Sequence, residues 1–242
     1  MKFPLAITLL LLLLSCQQQE KKETPDVGKQ EEDLSPIPKQ QKTYRGLFVV
    51  GKNMHSFRNC QDPDNNFWVD DTTGRMDELY HTMSENSPVF PYEYVYVEVK
   101  ASASEAPSEI AAKGFDSILT VKEILTFEQK NYLNTCIPYD FWAIGAGSGW
   151  SLQVSEKEGI IALKDYTAGR VYLFEYFSPK VVNDEVFTYH SNNYANQTAI
   201  SAVFKKTPCA DNVSGNEYSF SAYVIINGKR YSGCAIRGSK QQ

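Results

Sequence analysis

The feature that most constrains the fold is a succession of short strand-like stretches, each bounded by turn residues. The clearest is residues 92–99, where apolar and polar side chains alternate as in a half-buried β-strand. The dipeptide Asn227-Gly228 separates residues 218–226 from residues 229–231 and is the strongest short-range signal for a β-hairpin. Because short strands at such spacing are typical of sandwiches and barrels, the sequence predicts a mainly β fold.

The predicted strands fall into two groups along the chain. Those of the first group cover residues 44–50, 55–60, 67–69, 92–99 and 118–124. The second group begins with two apolar pieces within residues 141–154, separated by a glycine-rich corner, and continues with residues 159–163, 169–176, 199–204, 218–226 and 229–231. One helix is predicted, over residues 74–84, because Met76, Leu79, Tyr80 and Met83 recur on one helical face. Residues 70–73 precede it and can supply its N-cap.

The charge of the chain restricts its partners. The net charge is −5, and nucleic-acid binding requires clustered lysine and arginine side chains, so we expect no nucleic-acid partner. Tyrosine and phenylalanine, with 15 and 13 copies, are both abundant, which again favours strands.

The N-terminus reads as an export signal. After Met1-Lys2, an apolar run extends from Phe3 to Leu14, which is shorter than the ~20 residues of a transmembrane helix but has the length of a signal-peptide core. The run closes on Ser15-Cys16 and is similar to the lipobox of bacterial lipoproteins. That resemblance implies removal of residues 1–15 and attachment of acyl chains, such as palmitate, to Cys16. The alternative is an ordinary secretory signal with a chance cysteine.

Residues 16–43 are predicted to be a lipidated cysteine followed by a disordered tether. Residues 17–43 carry many charges, three prolines and almost no large apolar side chains, so they cannot bury enough surface to offset the entropy of ordering. Gln17 follows the cysteine where an aspartate commonly retains lipoproteins in the inner membrane. We therefore expect a protein anchored by lipid in the bacterial cell envelope, at the outer membrane.

Four cysteines remain after Cys16: Cys60, Cys136, Cys209 and Cys234. An even number in an exported chain indicates disulfides, but four cysteines allow three pairings and the spacing does not choose among them. None lies in a C-x-x-C pair, which argues against a thioredoxin-like couple or a zinc knuckle.

The first half resembles a known family. Tyr-Arg-Gly-Leu-Phe48, Ser-Phe-Arg-Asn-Cys60, a short strand, a helix and Tyr-Val-Tyr-Val-Glu-Val99 are similar to the C-terminal domain of NlpE lipoproteins, which act in envelope stress and copper homeostasis. The resemblance covers about residues 44–137. It implies an OB-type barrel with one helix and a disulfide between Cys60 and Cys136. The family's N-terminal domain carries a C-x-x-C motif, and in this sequence the tether stands in its place.

The second half, residues 138–242, resembles an uncharacterised family of bacterial envelope domains. The similar segments are Ala-Ile-Gly145 with Gly149-Trp-Ser-Leu, and the late stretch from Cys209 to Cys234. The resemblance implies a small antiparallel β-barrel or sandwich and a Cys209–Cys234 disulfide, but no activity.

Four residues are weak candidates for a Cu(I) site: Met54, His55, His81 and Met83. They offer soft and imidazole ligands, but Met83 also fits the apolar face of the helix. We therefore expect no tight metal binding and no cofactor.

Other patterns have simpler structural interpretations. Residues 145–149 are rich in glycine but lack the Lys-Ser/Thr of a phosphate loop, and the turn at residues 62–66 lacks the glutamate of a calcium loop. None of the three histidines, His55, His81 and His190, lies near a Gly-x-Ser-x-Gly elbow, so no catalytic residue is predicted and the chain is not expected to be an enzyme.

The sequence thus predicts a non-enzymatic binding or stress-sensing module. Its expected partners are the membrane, through the lipid anchor, and another envelope protein. An alternative is an inhibitor of a lysozyme-type hydrolase, because residues 214–218, Ser-Gly-Asn-Glu-Tyr, are faintly similar to a segment of periplasmic lysozyme inhibitors.

Overall fold

A computed structural model describes residues 41–238 of the chain. The predicted signal peptide at residues 1–15, the lipidation site at Cys16 and the tether up to residue 40 lie outside the described residues. Within the described part, no helix combines the length and hydrophobicity that crossing a bilayer requires.

The first half folds into a closed barrel of five strands. The elements are β1 (Lys42–Gly51), β2 (Met54–Asn59), β3 (Asn66–Asp71), α1 (Met76–Asn86), β4 (Val95–Glu105), α2 (Ser108–Ala111) and β5 (Ser117–Gln129). The strand order around the barrel is β1-β2-β3-β5-β4, with β4 paired to β1, and β3 and β5 run parallel. This order, with the main helix between β3 and β4, is the predicted OB-type barrel.

Alternation in the sequence builds the core of this barrel. In β4, Val95, Val97 and Val99 are buried and pack with Phe48 and Phe57. At Gly46 a Cβ atom would lie 2.3 Å from the carbonyl oxygen of Arg58, so only glycine allows β1 and β2 to approach so closely here.

Helix α1 is held at its start and near its middle. The carboxylate of Asp71 accepts hydrogen bonds from the backbone N–H groups of Met76 (2.8 Å) and Thr73 (2.9 Å). Burial works to raise the pKa of Asp71, but a hydrogen bond from the Thr73 hydroxyl (2.6 Å) and those from the backbone hold it below its usual value. Further along, Tyr80 is buried and donates from its hydroxyl to the carbonyl of Glu93 at 2.7 Å, which fixes the helix to the start of β4.

The second half is one curled antiparallel sheet of nine strands. Its elements are β6 (Phe141–Gly145), the 3-10 helix Ala146–Ser148, β7 (Trp150–Ser155), β8 (Ile160–Asp165), β9 (Arg170–Glu175), β10 (Lys180–Val182), β11 (Val186–Asn193), β12 (Thr198–Ala210), β13 (Glu217–Ile226) and β14 (Lys229–Arg237). The order is β10-β11-β12-β13-β14-β6-β7-β8-β9.

This sheet meets itself at a seam between β9, which is one edge strand, and β11, which is the neighbour of the other edge strand β10. Ser191 donates from its hydroxyl to the carbonyl of Glu175 at 2.7 Å, and Asn193 donates from its amide to the carbonyl of Leu173 at 2.9 Å. The second half is therefore a sheet that curls on itself, and side-chain hydrogen bonds rather than a strand ladder cross its seam.

Aromatic rings fill the interior of the curled sheet. Phe141 stacks on Phe204 with ring centroids 4.2 Å apart, meets Phe220 edge to face, and contacts Phe187 at a tilt. At Gly145 a Cβ would lie 2.2 Å from the ring of Trp150, so this glycine makes room for the tryptophan.

The structure contains two disulfides, Cys60–Cys136 and Cys209–Cys234. They are the pairs that the two family resemblances imply. The first links the end of β2 to the segment after β5. The second links β12, just beyond an irregularity in its register, to β14.

Buried charges join the two halves. The ammonium of Lys130 donates to both carboxylate oxygens of Glu158, at 2.7 and 3.1 Å, and Lys164 pairs with Glu93. All four side chains are at least nine-tenths buried. The predicted division near residue 138 falls within the connection between β5 and β6, beside these ion pairs.

Candidate ligand-binding cavity

A cavity of about 620 Å³ opens at the end of the curled sheet where β6 and β11 begin and β9 and β14 end. We call it the mouth cavity. It lies among aromatic side chains and charged side chains, namely Phe141, Tyr176, Phe187 and Tyr189 together with Asp140, Glu156, Lys157, Asp184 and Arg237.

Strand register brings these side chains together from distant parts of the sequence. Alternation along β11 buries Phe187 and Tyr189, while the side chains between and after them are more exposed. Arg237, at the end of β14, is the cross-strand partner of Phe141. Its guanidinium lies 4.5 Å from the centre of the Phe187 ring, a cation–π contact that places a positive charge at the cavity wall.

Two tyrosines provide neutral polar groups. The rings of Tyr176 and Tyr189 have centroids 6.0 Å apart. Burial raises the pKa of Tyr176 to about 12, and the carboxylates of Asp140 and Glu156 add to the effect. The same causes raise the pKa of Tyr189 well above its usual value. Both phenols are therefore protonated throughout the physiological pH range.

Asp140 is fixed where the sheet begins. One carboxylate oxygen accepts a hydrogen bond from the backbone N–H of Glu156 at 2.9 Å. The backbone of Asp140 also bonds to Val154 and Gly238, through its N–H and its carbonyl respectively. Asp140 is thus held by two separate segments of chain, residues 154–156 and residue 238.

The segment beside the cavity exposes apolar side chains. Phe177, Val181 and Val182 are all exposed, and Val181 lines the cavity. Large apolar side chains next to a partly polar cavity are suited to a ligand with an apolar body and a few polar groups.

The structure places the weak metal candidates on the first barrel. The Nε2 atom of His55 is 2.9 Å from a carboxylate oxygen of Asp77, and the Nδ1 atom of His81 is 2.7 Å from the Asp77 carbonyl. Met54 is exposed, whereas Met83 packs against the barrel core. Within residues 41–238 there is no cluster of three or more histidine, cysteine, aspartate or glutamate side chains suited to a metal ion. The absence of tight Cu(I) binding stays a prediction.

The remaining candidate motifs form turns. Residues 146–148 make the 3-10 helix between β6 and β7. In the turn at residues 62–66, the backbone N–H of Asn65 donates to the carbonyl of Asp62 at 3.0 Å. Ser214 donates from its hydroxyl to the carboxylate of Asp211 at 2.6 Å, inside the loop that joins β12 to β13.

The mouth cavity was not predicted from the sequence, because no strand was expected between residues 176 and 199. Strand β11 lies in that gap and supplies Phe187 and Tyr189. Its signal was present, since Val-Phe-Thr-Tyr-His190 alternates in the way expected of a half-buried strand.

The geometry defines a class of protein: an OB-type barrel joined by buried ion pairs to a curled antiparallel sheet that carries a cavity at one end. In comparisons with protein-family models, curated proteins and solved structures, nothing matches this chain.

Proposed function

We propose that this protein is a non-enzymatic binding or sensing module of the bacterial cell envelope, anchored by lipid on Cys16, and that the mouth cavity holds its ligand. The observation that carries the proposal is the cavity itself. Its volume of about 620 Å³ lies within the range of small-molecule sites, and it combines aromatic walls with a few fixed polar groups.

The rest of the chain supports this reading. Two disulfides are in keeping with an oxidising compartment, as expected for an exported protein. The strand order of the first barrel and the Cys60–Cys136 bridge agree with what the resemblance to NlpE lipoproteins implies. In this proposal the ligand is an amphipathic small molecule, and the bound form is read by another envelope protein.

A blocking substitution tests the proposal. Ser178 is exposed and lines the mouth cavity, so Ser178→Trp should fill the space without disturbing the core. Ser232 is exposed on β14 and does not line the cavity, so Ser232→Trp is the matched control. A library of amphipathic small molecules would be screened against the purified full-length protein by ligand-observed NMR.

We expect compounds that bind the parent protein and Ser232→Trp but not Ser178→Trp. If every compound found binds Ser178→Trp as well as the parent, the mouth cavity is not the ligand site. Cell fractionation of the Cys16→Ser variant tests the anchor separately.

Inhibition of a lysozyme-type hydrolase is a second candidate. The observation that favours it is the β12–β13 loop, where Val213 is 71% exposed and the Asp211 carboxylate accepts hydrogen bonds from the backbone of Val213 and Ser214. Such a braced, exposed apolar tip is suited to entering a cleft. Purified protein would be added to lysozyme acting on cell walls, with Val213→Glu as the control that should abolish inhibition.

A further inference from the structure

A second cavity lies at the junction of the two halves. We call it the junction cleft. It has a volume of about 420 Å³ and is bounded on one side by the end of β5 and on the other by β6 and β7. The side chains that matter for its chemistry are Gln129, Tyr132, Trp142, Ser148, Ser151 and Tyr166.

The junction cleft is held open by contacts that need no ligand. The Lys130–Glu158 ion pair fastens the residue after β5 to the curled sheet, and Lys164–Glu93 fastens a second point. The side chain of Tyr132 also interacts with that of Tyr218 on β13. Because the walls are already ordered, a ligand would not have to compensate for ordering them, which favours binding in a preformed site.

The cleft has almost no available charge. Among the described residues that line it, Lys130 alone is charged, and both oxygens of the Glu158 carboxylate accept hydrogen bonds from its ammonium. A charged ligand would therefore lose hydration without gaining an opposite charge in return. The cleft selects for neutral ligands.

Its lining combines aromatic side chains, of which Trp142 is buried and Tyr132 and Tyr166 are half-buried, with hydroxyl and amide groups. Trp142 meets Tyr139 at its edge, with ring centroids 5.6 Å apart, and so is fixed in orientation. The hydroxyls of Ser151 and Tyr166 lie 3.1 Å apart, and each keeps hydrogen-bonding capacity beyond their mutual bond. Gln129 adds an amide at the cleft wall.

One feature of the backbone also shapes this cleft. Ser148 has φ 57°, in the left-handed region that non-glycine residues rarely adopt. Gly147 before it has φ 65°, so two successive residues turn the chain sharply at the edge of the cleft. Strain of this kind concentrates at binding sites.

We infer that the junction cleft binds a neutral saccharide. A sugar ring presents a face of C–H groups, which packs on an aromatic ring, and an edge of hydroxyls, which bond to side chains such as Ser151, Tyr166 and Gln129. This site is separate from the mouth cavity, and the inference does not depend on the ligand proposed there.

Titration with oligomers of N-acetylglucosamine tests the inference. These probes are neutral, and binding to the purified full-length protein would be followed by tryptophan fluorescence and by calorimetry. Oligogalacturonate and chitosan oligomers serve as anionic and cationic counterparts of similar size. We expect the neutral probe to bind at least about tenfold more tightly than either charged one, because burying an unpaired charge is costly.

Two variants locate the binding site. Gln129→Trp should block the cleft, and Ser151→Ala should weaken binding by roughly fivefold to tenfold through loss of one hydrogen bond. Ser232→Ala is the matched serine control, and Ser178→Trp blocks the mouth cavity instead. Both controls should bind the saccharide as the parent does.

Several results would overturn the inference: no binding of the neutral probe at millimolar concentration, equal or tighter binding of a charged probe, or binding lost in Ser178→Trp but retained in Gln129→Trp. The thermal unfolding midpoint of each variant shows whether it is folded. If Gln129→Trp does not fold, Ser151→Ala against Ser232→Ala decides the question. Failure here leaves the mouth-cavity test unaffected, because that test uses different ligands and a different blocking residue.

Discussion

The ion pair between Lys130 and Glu158 gives a sharp test of how the two halves are joined. The side chains of these residues are 1% and 10% exposed, and Gln153 donates a further hydrogen bond to the Glu158 carboxylate. Replacing Lys130 with methionine leaves a buried carboxylate without its cation. We expect this variant to lose about 3–5 kcal/mol of unfolding free energy, the usual cost of breaking a buried pair from one side.

The double variant should behave differently from the sum of its parts. Glu158→Leu alone leaves the Lys130 ammonium buried, with the Tyr94 ring 5.9 Å away as its remaining partner, and should cost a similar amount. Combining Lys130→Met with Glu158→Leu removes both charges at once. Because well-packed apolar replacements of buried pairs are often neutral or stabilising by about 1–4 kcal/mol, we expect the double variant to be near the parent in stability.

A second pair with the same separation provides the control. Lys100 and Glu123 also lie 2.7 Å apart, but their side chains are 45% and 52% exposed. Solvent screens such a pair, so Lys100→Met should cost only about 0–1 kcal/mol. Urea unfolding followed by tryptophan fluorescence would measure all five proteins. Equal losses in Lys130→Met and Lys100→Met, or a double variant whose loss equals the sum of the two single losses, would refute the reasoning.

Three further predictions follow from other parts of the chain. The disulfides close loops with sequence separations of 25 and 76 residues. On the chain-entropy estimate, removing the shorter loop with Cys209→Ser/Cys234→Ser should lower the unfolding free energy by about 3.5 kcal/mol. Removing the longer loop with Cys60→Ser/Cys136→Ser should lower it by about 4.5 kcal/mol. A larger loss for the shorter loop in urea unfolding would contradict that estimate. Burial works to raise the pKa of Asp165, but hydrogen bonds from Lys229, Ala168 and Tyr231 hold it below its usual value. Because the pKa of Asp165 is lower in the folded than in the unfolded protein, this stabilisation is present above the unfolded pKa of about 3.9 and is lost as pH falls through the folded pKa. Asp165→Asn should therefore make the free energy of unfolding depend less steeply on pH in the acid range. Finally, Cys16→Ser should abolish metabolic labelling by palmitate and release the protein from membranes, and persistent labelling would exclude lipidation at that cysteine.

Much of the fold was predictable because most of its strands bury one face in a core and expose the other, so that apolar and polar side chains alternate along them. Residues 92–99 alternate clearly, and β4 follows that pattern, with Val95, Val97 and Val99 buried. The Asn227-Gly228 hairpin joins β13 to β14 as its sequence predicts. Periodicity does not reveal which strands become neighbours, however. The OB-type barrel was implied only by the family resemblance, and the parallel pairing of β3 with β5 that closes it was not predicted.

The sites were less predictable because each draws on residues far apart in the sequence. Arg237 contacts Phe187 in the wall of the mouth cavity although the two residues are far apart in the sequence. The junction cleft combines the end of β5 with the outer face of β6. No local pattern links such positions. Even the buried lysines looked ordinary, since a lysine in an alternating strand is normally placed on the solvent face. Lys164 lies on the face of its sheet opposite the core, as that rule expects, but it is buried there because Glu93 of the first half packs against it.

The charges between the two halves are better explained by orientation than by stability. A buried ion pair is weak evidence for stability, since apolar side chains of similar size would serve as well or better. The charges instead fix the orientation of the two halves. The carboxylate of Glu93 accepts a hydrogen bond from the backbone N–H of Phe90 and pairs with Lys164, and the Glu93 carbonyl accepts a hydrogen bond from the hydroxyl of Tyr80. One residue thus ties α1, the loop before β4 and the curled sheet together. An apolar contact could slide, whereas these partners are satisfied in one arrangement, the arrangement that also shapes the junction cleft.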